Sequence, residues 1–297
     1  MSDKVYQIVT DQILAALDRG TVPWHKPWSS KAGTAPKNAV SNKEYRGFNV
    51  LVLVSAGFTS PYWMTFKQAR ALGGSVKKGE HGSHVIYWHI LDREVVKSDG
   101  TKEIEHVFFL RYYTVFNYEQ TENVKLPKGR VVPGAAEADD VATIEAAETI
   151  AQKYLDREGL KVKTRDVAAY SPIYDELYMP ARNTFETSEG WYSTMFHEIV
   201  HSTGHTKRLD RLARTHFGSG EYSREELVAE IGAAMLCGVS GITRQVEIEN
   251  SAAYIAHWRS FIANDVKAVV SAAGAAQKAS DYVVGKAEEK EDDDGDD

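Results

Sequence analysis

Phe196-His197-Glu198-Ile199-Val200-His201 is the stretch that decides how the rest of the chain is read. It has the form His-Glu-x-x-His, and the residues around it have helical periodicity. Positions four apart share a helix face, so His197 and His201 can grip one metal ion together. Glu198 projects from the next position, beside the metal's open site, where it is placed to take a proton from a water there. The five-residue pattern is short enough to arise by chance, so its surroundings must decide. Ile199 and Val200 are bulky and apolar, as expected where such a helix is packed into a core. Ser188 is the expected N-cap, and Gly204 the stop.

A catalytic zinc site takes three protein ligands and keeps a position for water. The third histidine of a metzincin would fall at position 207, which is Lys207, and His205 lies beyond the helix-ending glycine. A second helix offers carboxylates in Ser223-Arg224-Glu225-Glu226-Leu227-Val228-Ala229-Glu230, with Leu227, Ile231 and Ala234 as its apolar stripe. Glu226 is the expected ligand. Glu230 either orients a histidine N–H or takes the ligand's place. Ser223-x-x-Glu226 is also a capping box, which would explain Glu226 without any metal. Glu225 is expected on the exposed side. The donor set suits Zn²⁺ and would accept other divalent ions. His205 and Tyr192 are the candidate donors to a transition state. Strands are expected at 161–165 and 176–179. The second precedes the metal helix, where a sheet edge would hold a peptide extended.

The 297 residues, 43% of them hydrophobic, suit two domains with substantial cores. No apolar run approaches the roughly 18 residues of a membrane span. Asp3, Asp11 and Asp18 interrupt the first apolar helix, which does not read as a signal peptide. Cys237 is the single cysteine, so an internal disulfide is excluded and a cytoplasmic setting fits. The net charge of −7 hides a division. Residues 1–130 hold 18 Lys and Arg against 12 Asp and Glu, a balance of +6, and 131–297 hold 17 against 30, a balance of −13. The first part is therefore the one to meet a polyanion. Aromatics lean the same way, with 17 of the 31 in residues 1–130.

Single strands are bound by aromatic faces that stack bases and by cations that follow phosphates. The candidates are Trp24, Trp28, Tyr45, Phe48, Trp63, Tyr87 and Trp88, with Lys26, Lys43, Arg46, Lys67, Lys77, Lys78 and Arg111. The competing reading is that these aromatics fill a small core. Trp24 and Trp28 resist that reading best, because they flank Lys26 in a loop containing Pro23 and Pro27. Residues 48–57 are apolar and suit either helix or buried strand. Residues 65–72 read as a short helix, 83–90 and 107–116 as strands, 141–157 as a helix and 249–270 as one long helix. The acidic run 288–297 cannot bury apolar area and reads as a disordered tail.

The sequence resembles the ArdC-type antirestriction proteins of conjugative plasmids and their TraC primase relatives. The similar residues are Thr21-Val22-Pro23-Trp24, Pro27-Trp28, Tyr45-Arg46-Gly47, Trp63-Met64-Thr65 and Lys77-Lys78-Gly79-Glu80 in the first part. In the second they are Met179-Pro180, Phe185, Tyr192, the run 197–205, Arg208-Leu209 and Glu225-Glu226-Leu227-Val228-Ala229-Glu230. The resemblance implies an N-terminal single-stranded DNA-binding domain, a C-terminal zincin-like metallopeptidase domain, and protection of incoming plasmid DNA from host restriction. The expectation is an α+β chain: a β-containing nucleic-acid-binding domain at 1–123, a linker at 124–140, a metalloprotease domain at 141–286 and a tail at 287–297. Its expected partners are single-stranded DNA and a host restriction-system protein as substrate, with no membrane.

Overall fold

A computed structural model of the chain describes residues 2–25, 35–96, 102–130, 140–212, 220–242 and 252–286. The N-terminal unit contains α1 (Ser2–Asp18), β1 (Lys37–Asn38), α2 (Phe48–Ser55), β2 (Tyr62–Thr65), α3 (Phe66–Ala71), β3 (Ser75–Val76), β4 (Ser83–Val96), β5 (Lys102–Asn117) and β6 (Thr121–Glu122). The C-terminal unit contains α4 (Asp140–Glu158), β7 (Lys161–Thr164), β8 (Ala169–Ser171), β9 (Glu176–Met179), α5 (Ser188–Thr203), α6 (Gly220–Ser240), α7 (Ala252–Asn264) and α8 (Ala268–Val284). The mixed α+β, two-domain reading holds.

The first unit is built on a four-stranded sheet ordered β1-β2-β5-β4, antiparallel except for the short β1–β2 pair. Its spine is the long β4–β5 hairpin, registered from Ser83 opposite Val115 to Val96 opposite Lys102. The ambiguous stretch 48–57 is helix: Phe48, Val50, Leu51, Val52 and Leu53 are buried all round it, which is why periodicity was uninformative there. Thr65 closes a capping box with Gln68 at the start of α3. The start of the expected linker is not free chain. Val124 and Leu126 pack with Leu72 and Val76, and Lys125 N–H donates to Leu72.

In the second unit β7, β9 and β8 form a sheet with β9 in the middle. This corrects the expectation for 176–179. Both sides of β9 are already paired, so its backbone is not open to an extended peptide. The open edges are β7 and β8, of which β8 packs against α5. The expected long helix at 249–270 is also corrected. It is broken between α7 and α8, where the Asp265 side chain accepts from Lys267 N–H and the Asp265 carbonyl from Ala268 N–H. Such side-chain bonding competes with helical continuation. Trp28, Lys26 and the tail 287–297 lie outside the described residues.

One apolar core runs through both units, from Val5 and Leu17 of α1 to Ile262 of α7 and Val283 of α8. Polar contacts cross the same boundary. Thr10 Oγ1 donates to the Val266 carbonyl at 2.7 Å, Gly47 N–H to Gln277 Oε1 at 2.9 Å, and Arg46 pairs with the buried Asp281.

Candidate metal centre

α5 begins at a Thr187 cap whose hydroxyl accepts from Gly190 N–H at 3.1 Å, one residue before the expected Ser188. It ends at Gly204, and close packing explains that glycine. An added Cβ would lie 2.8 Å from Leu212 Cγ and 3.1 Å from Arg211 Nη2. Between these ends, Ile199 and Val200 are wholly buried and hold the helix by its apolar side. His197 and His201 therefore emerge together, with their Nε2 atoms 3.1 Å apart.

α6 crosses close to this face. A Cβ at Gly232 would lie 2.8 Å from Val200 Cγ2, so the glycine is what lets the two helices approach. This approach brings Glu226 to the histidines, at 3.4 Å from His197 Nε2 and 3.7 Å from His201 Nε2. One ligand atom from each of the three side chains lies within 4.8 Å of the others. Two imidazole nitrogens and a carboxylate oxygen, half-buried and turned to a common point, suit a divalent ion with a position left open. The capping explanation of Glu226 does not hold, because α6 starts at Gly220 and Ser223 lies inside it.

The carboxylate that steadies His201 is Glu225, which corrects its expected exposure. Glu225 is buried, its Oε1 is 3.3 Å from His201 Nδ1, and both its oxygens accept from Arg211 at 2.8 and 2.9 Å. Burial raises the Glu225 pKa, but His201 and Arg211 outweigh it and hold it below the usual carboxylate range. Glu230, four residues from Glu226, accepts from the Tyr254 hydroxyl at 3.1 Å, and its charge acts on His197. Burial disfavours the charged form of His197. Its bond to Glu226 and the charges of Glu230, Glu198 and Glu226 prevail, and its pKa is raised to about 9.

Glu198 is buried beside His197, on which its charge also acts. Tyr222, one turn before Glu226 on α6, hydrogen-bonds to Glu226 and feels the charge of Glu198; burial first, then these carboxylates, push its pKa up to about 12. Tyr222 was not foreseen, although its i, i+4 relation to Glu226 was readable. The expected donors are elsewhere. Tyr192 is buried with its hydroxyl on Glu148, and His205 Nδ1 accepts from Lys207 N–H.

The expected stacking platform needs a larger correction. Trp24, Tyr45, Phe48 and Trp63 are between 1% and 5% exposed, so no base can reach their faces. Trp24 packs edge-on against Trp258 at 5.7 Å and donates to Tyr254 at 3.4 Å. Trp63 packs on Phe58 at 5.5 Å. Arg46 is engaged with Asp281. Lys43, Lys77, Lys78 and Arg111 are exposed, as is Trp88. Phe109 lies under the Arg111 guanidinium at 5.0 Å.

Two histidines one helical turn apart, with a carboxylate between them and another from the following helix, define a zincin-like metallopeptidase domain. Residues 148–275 match the zincin-like metallopeptidase family, and residues 3–116 match the N-terminal domain of anti-restriction factor ArdC. The metal-free structure of the antirestriction protein ArdC from plasmid R388 superimposes with a TM-score of 0.71 at 35% identity, covering 94% of this chain and 96% of that one. Its Mn(II)-bound form gives 0.70 at 34% identity over the same shares. The Sinorhizobium fredii protein y4eC is 33% identical over 94% of this chain and 91% of its own length. An Escherichia coli DNA primase TraC is also 33% identical over 94% of this chain, which spans only 20% of that longer protein. The chain belongs to the ArdC family of antirestriction proteins.

Proposed function

We propose that this protein binds single-stranded DNA and carries a zinc-dependent peptidase centre, protecting incoming conjugative DNA from host restriction in the cytoplasm. The observation that carries the reading is the convergence of His197, His201 and Glu226 beside the buried Glu198. In this reading residues 1–123 meet DNA, 124–140 connect, 141–286 form the peptidase and 287–297 are an acidic tail. His197, His201 and Glu226 hold Zn²⁺, while Glu225 orients His201 and Glu230 adds negative charge behind His197. When bound, the ion supplies Lewis-acid chemistry, polarising a carbonyl and acidifying a water. Glu198 takes the proton of the attacking water and returns it to the leaving amine. Tyr222 donates to the oxygen on which charge develops. The substrate is a host restriction-system protein, and Lys43, Lys77, Lys78 and Arg111 contact phosphates.

Glu198→Gln tests the peptidase, because it removes the base and leaves all three ligands. It should retain metal and abolish protection during conjugation. Full protection with metal retained would exclude proteolysis as the mechanism. The alternative reading, an escort of single strands whose metal site is structural, is favoured by the exposed cations of the N-terminal unit. It would then stand alone.

A further inference from the structure

A groove of about 1150 Å³ runs between the two units, lined on one side by Tyr6, Arg46 and Trp88 and on the other by α8. The metal-centre residues do not line it. Five cations border it, Arg46, Arg224, Lys267, Lys278 and Lys286, against two acids, Asp265 and Asp281. Four of those cations come from residues 131–297, the part whose balance is −13. Both acids are occupied, Asp281 by Arg46 and Asp265 by Arg224. Lys267 meets Asp3 at 3.3 Å. Lys278 and Lys286 are exposed and make no ion pair among the described residues.

Trp88 is 42% exposed at the groove, whereas Trp24, Trp63, Trp191 and Trp258 are buried. An indole left open in a groove bordered by cations is the arrangement that stacks a base while the backbone is held electrostatically. The α8 wall includes the small residues Ser271, Gly274 and Ala275, and a Cβ at Gly274 would meet nothing within 4 Å. A chain can therefore lie directly on the helix.

We infer that this groove is a track for a single strand of nucleic acid shared by both units, with a base on Trp88 and phosphates along Lys278 and Lys286. The inference rests on the single-strand reading proposed above and moves part of the binding surface onto the peptidase unit. An acidic peptide would satisfy the lysines and leave the indole unused, so the strand is the better occupant.

The test uses the full chain and a fluorescent oligothymidylate, titrated across a range of salt concentrations. Trp88→Ala should weaken binding about 5- to 150-fold, the range of one lost stacking contact. Lys278→Gln with Lys286→Gln should flatten the dependence of log affinity on log salt by roughly 0.7 for each lysine. Gly274→Glu places a carboxylate on the groove wall at a position where an added Cβ meets nothing within 4 Å, and should also weaken binding. Thermal transition and metal affinity should be unchanged in the lysine and glycine variants, which sit at exposed positions and decide the matter should Trp88→Ala fail to fold. Wild-type binding retained in these variants would overturn the track and leave the single-strand reading intact. No binding of the oligonucleotide by the unaltered protein at low salt would overturn both. If the variants lose binding to polyglutamate and keep binding to the oligonucleotide, the groove belongs to an acidic peptide and the inference fails.

Discussion

Glu225 touches His201 at Nδ1 while Arg211 holds Glu225 by both oxygens, and this leaves Nε2 as the nitrogen that faces His197 and Glu226. Arg211 is itself fixed by the Val200 carbonyl and Thr203 Oγ1, at 2.9 and 3.1 Å. The chain of contacts therefore returns to the metal helix. Carboxylates behind ligating histidines typically govern metal affinity about 10- to 100-fold. Glu225→Gln should lower affinity by that order with little change in helix content, as measured by competition with a chromophoric chelator. Asp175 secures the same C-terminal end of the helix from another side. It pairs with Arg208, which is 2% exposed at its side chain and donates to the Ser202 carbonyl at 2.6 Å and to Tyr170 at 3.0 Å. Burial raises the Asp175 pKa, but its bonds to Arg208 and Tyr170 prevail and bring it to about 2, below the ordinary 3.8. A depressed carboxylate contributes stability that is present above its unfolded pKa and lost as pH falls through the folded one. Asp175→Asn should therefore destabilise the protein at neutral pH by roughly 2 kcal/mol. It should also flatten the acid limb between about pH 4 and pH 2 in denaturant titrations. Asn is the suitable replacement because residue 175 has φ +53°, a conformation Asn tolerates.

At the scale of elements, the metal centre is a consequence of how closely α6 lies on α5. Ala is ordinarily a better helix residue than Gly by about 1 kcal/mol. At Gly232 the methyl would sit 2.8 Å from Val200 Cγ2 and 2.9 Å from Cγ1, inside a packed core. Gly232→Ala should cost about 1–3 kcal/mol through overpacking. It should also weaken metal binding, because Glu226 swings away from the histidines; titration calorimetry reads both the affinity and the heat. A variant that bound metal as tightly as wild type would show that the centre does not depend on this contact. The same contact explains what the sequence disclosed. The convergence of His197 and His201 was legible because four residues on a helix is a fixed geometry, and that of Glu226 because helix periodicity sets it on a face other than the apolar stripe. Glu225 was not, since its burial depends on the roll of α6 against α5, set by Val200 and Gly232 far apart in the chain. The break at Asp265 was hidden for a local reason: apolar periodicity on both sides masked a side chain that bonds the backbone of Lys267 between the two helices. The three buried tryptophan and tyrosine positions, Trp24, Tyr45 and Trp63, were misread because aromatic content is the same in a core and in a stacking surface. Among the described tryptophans, Trp88 is the one that is exposed.

For the molecule as a whole, the decisive fact is that the two units are not packed as independent bodies. Trp24 of the first lies against Trp258 of the second, Asp18 pairs with Arg259 at 2.5 Å, and the Lys267 ammonium sits 5.3 Å from the Tyr6 ring. Apolar side chains of α1 and α2 belong to the same core as those of α5, α6 and α8. Separate domains usually meet through small, polar contacts and melt separately. Here exposing either unit would uncover the other's core, so unfolding should be one cooperative event. Metal binding to the folded state alone adds RT ln(1 + [L]/Kd), about 2.7 kcal/mol at 100 times Kd. With a shared core that increment should raise the transition of the entire chain. Calorimetry should show a single peak that moves intact on addition of a divalent ion, and hydrogen exchange in β4 and β5, remote in sequence from the ligands, should slow with it. Two peaks of which only one responds to metal would show that the units fold independently. In that case the groove between them could not be preformed by the core.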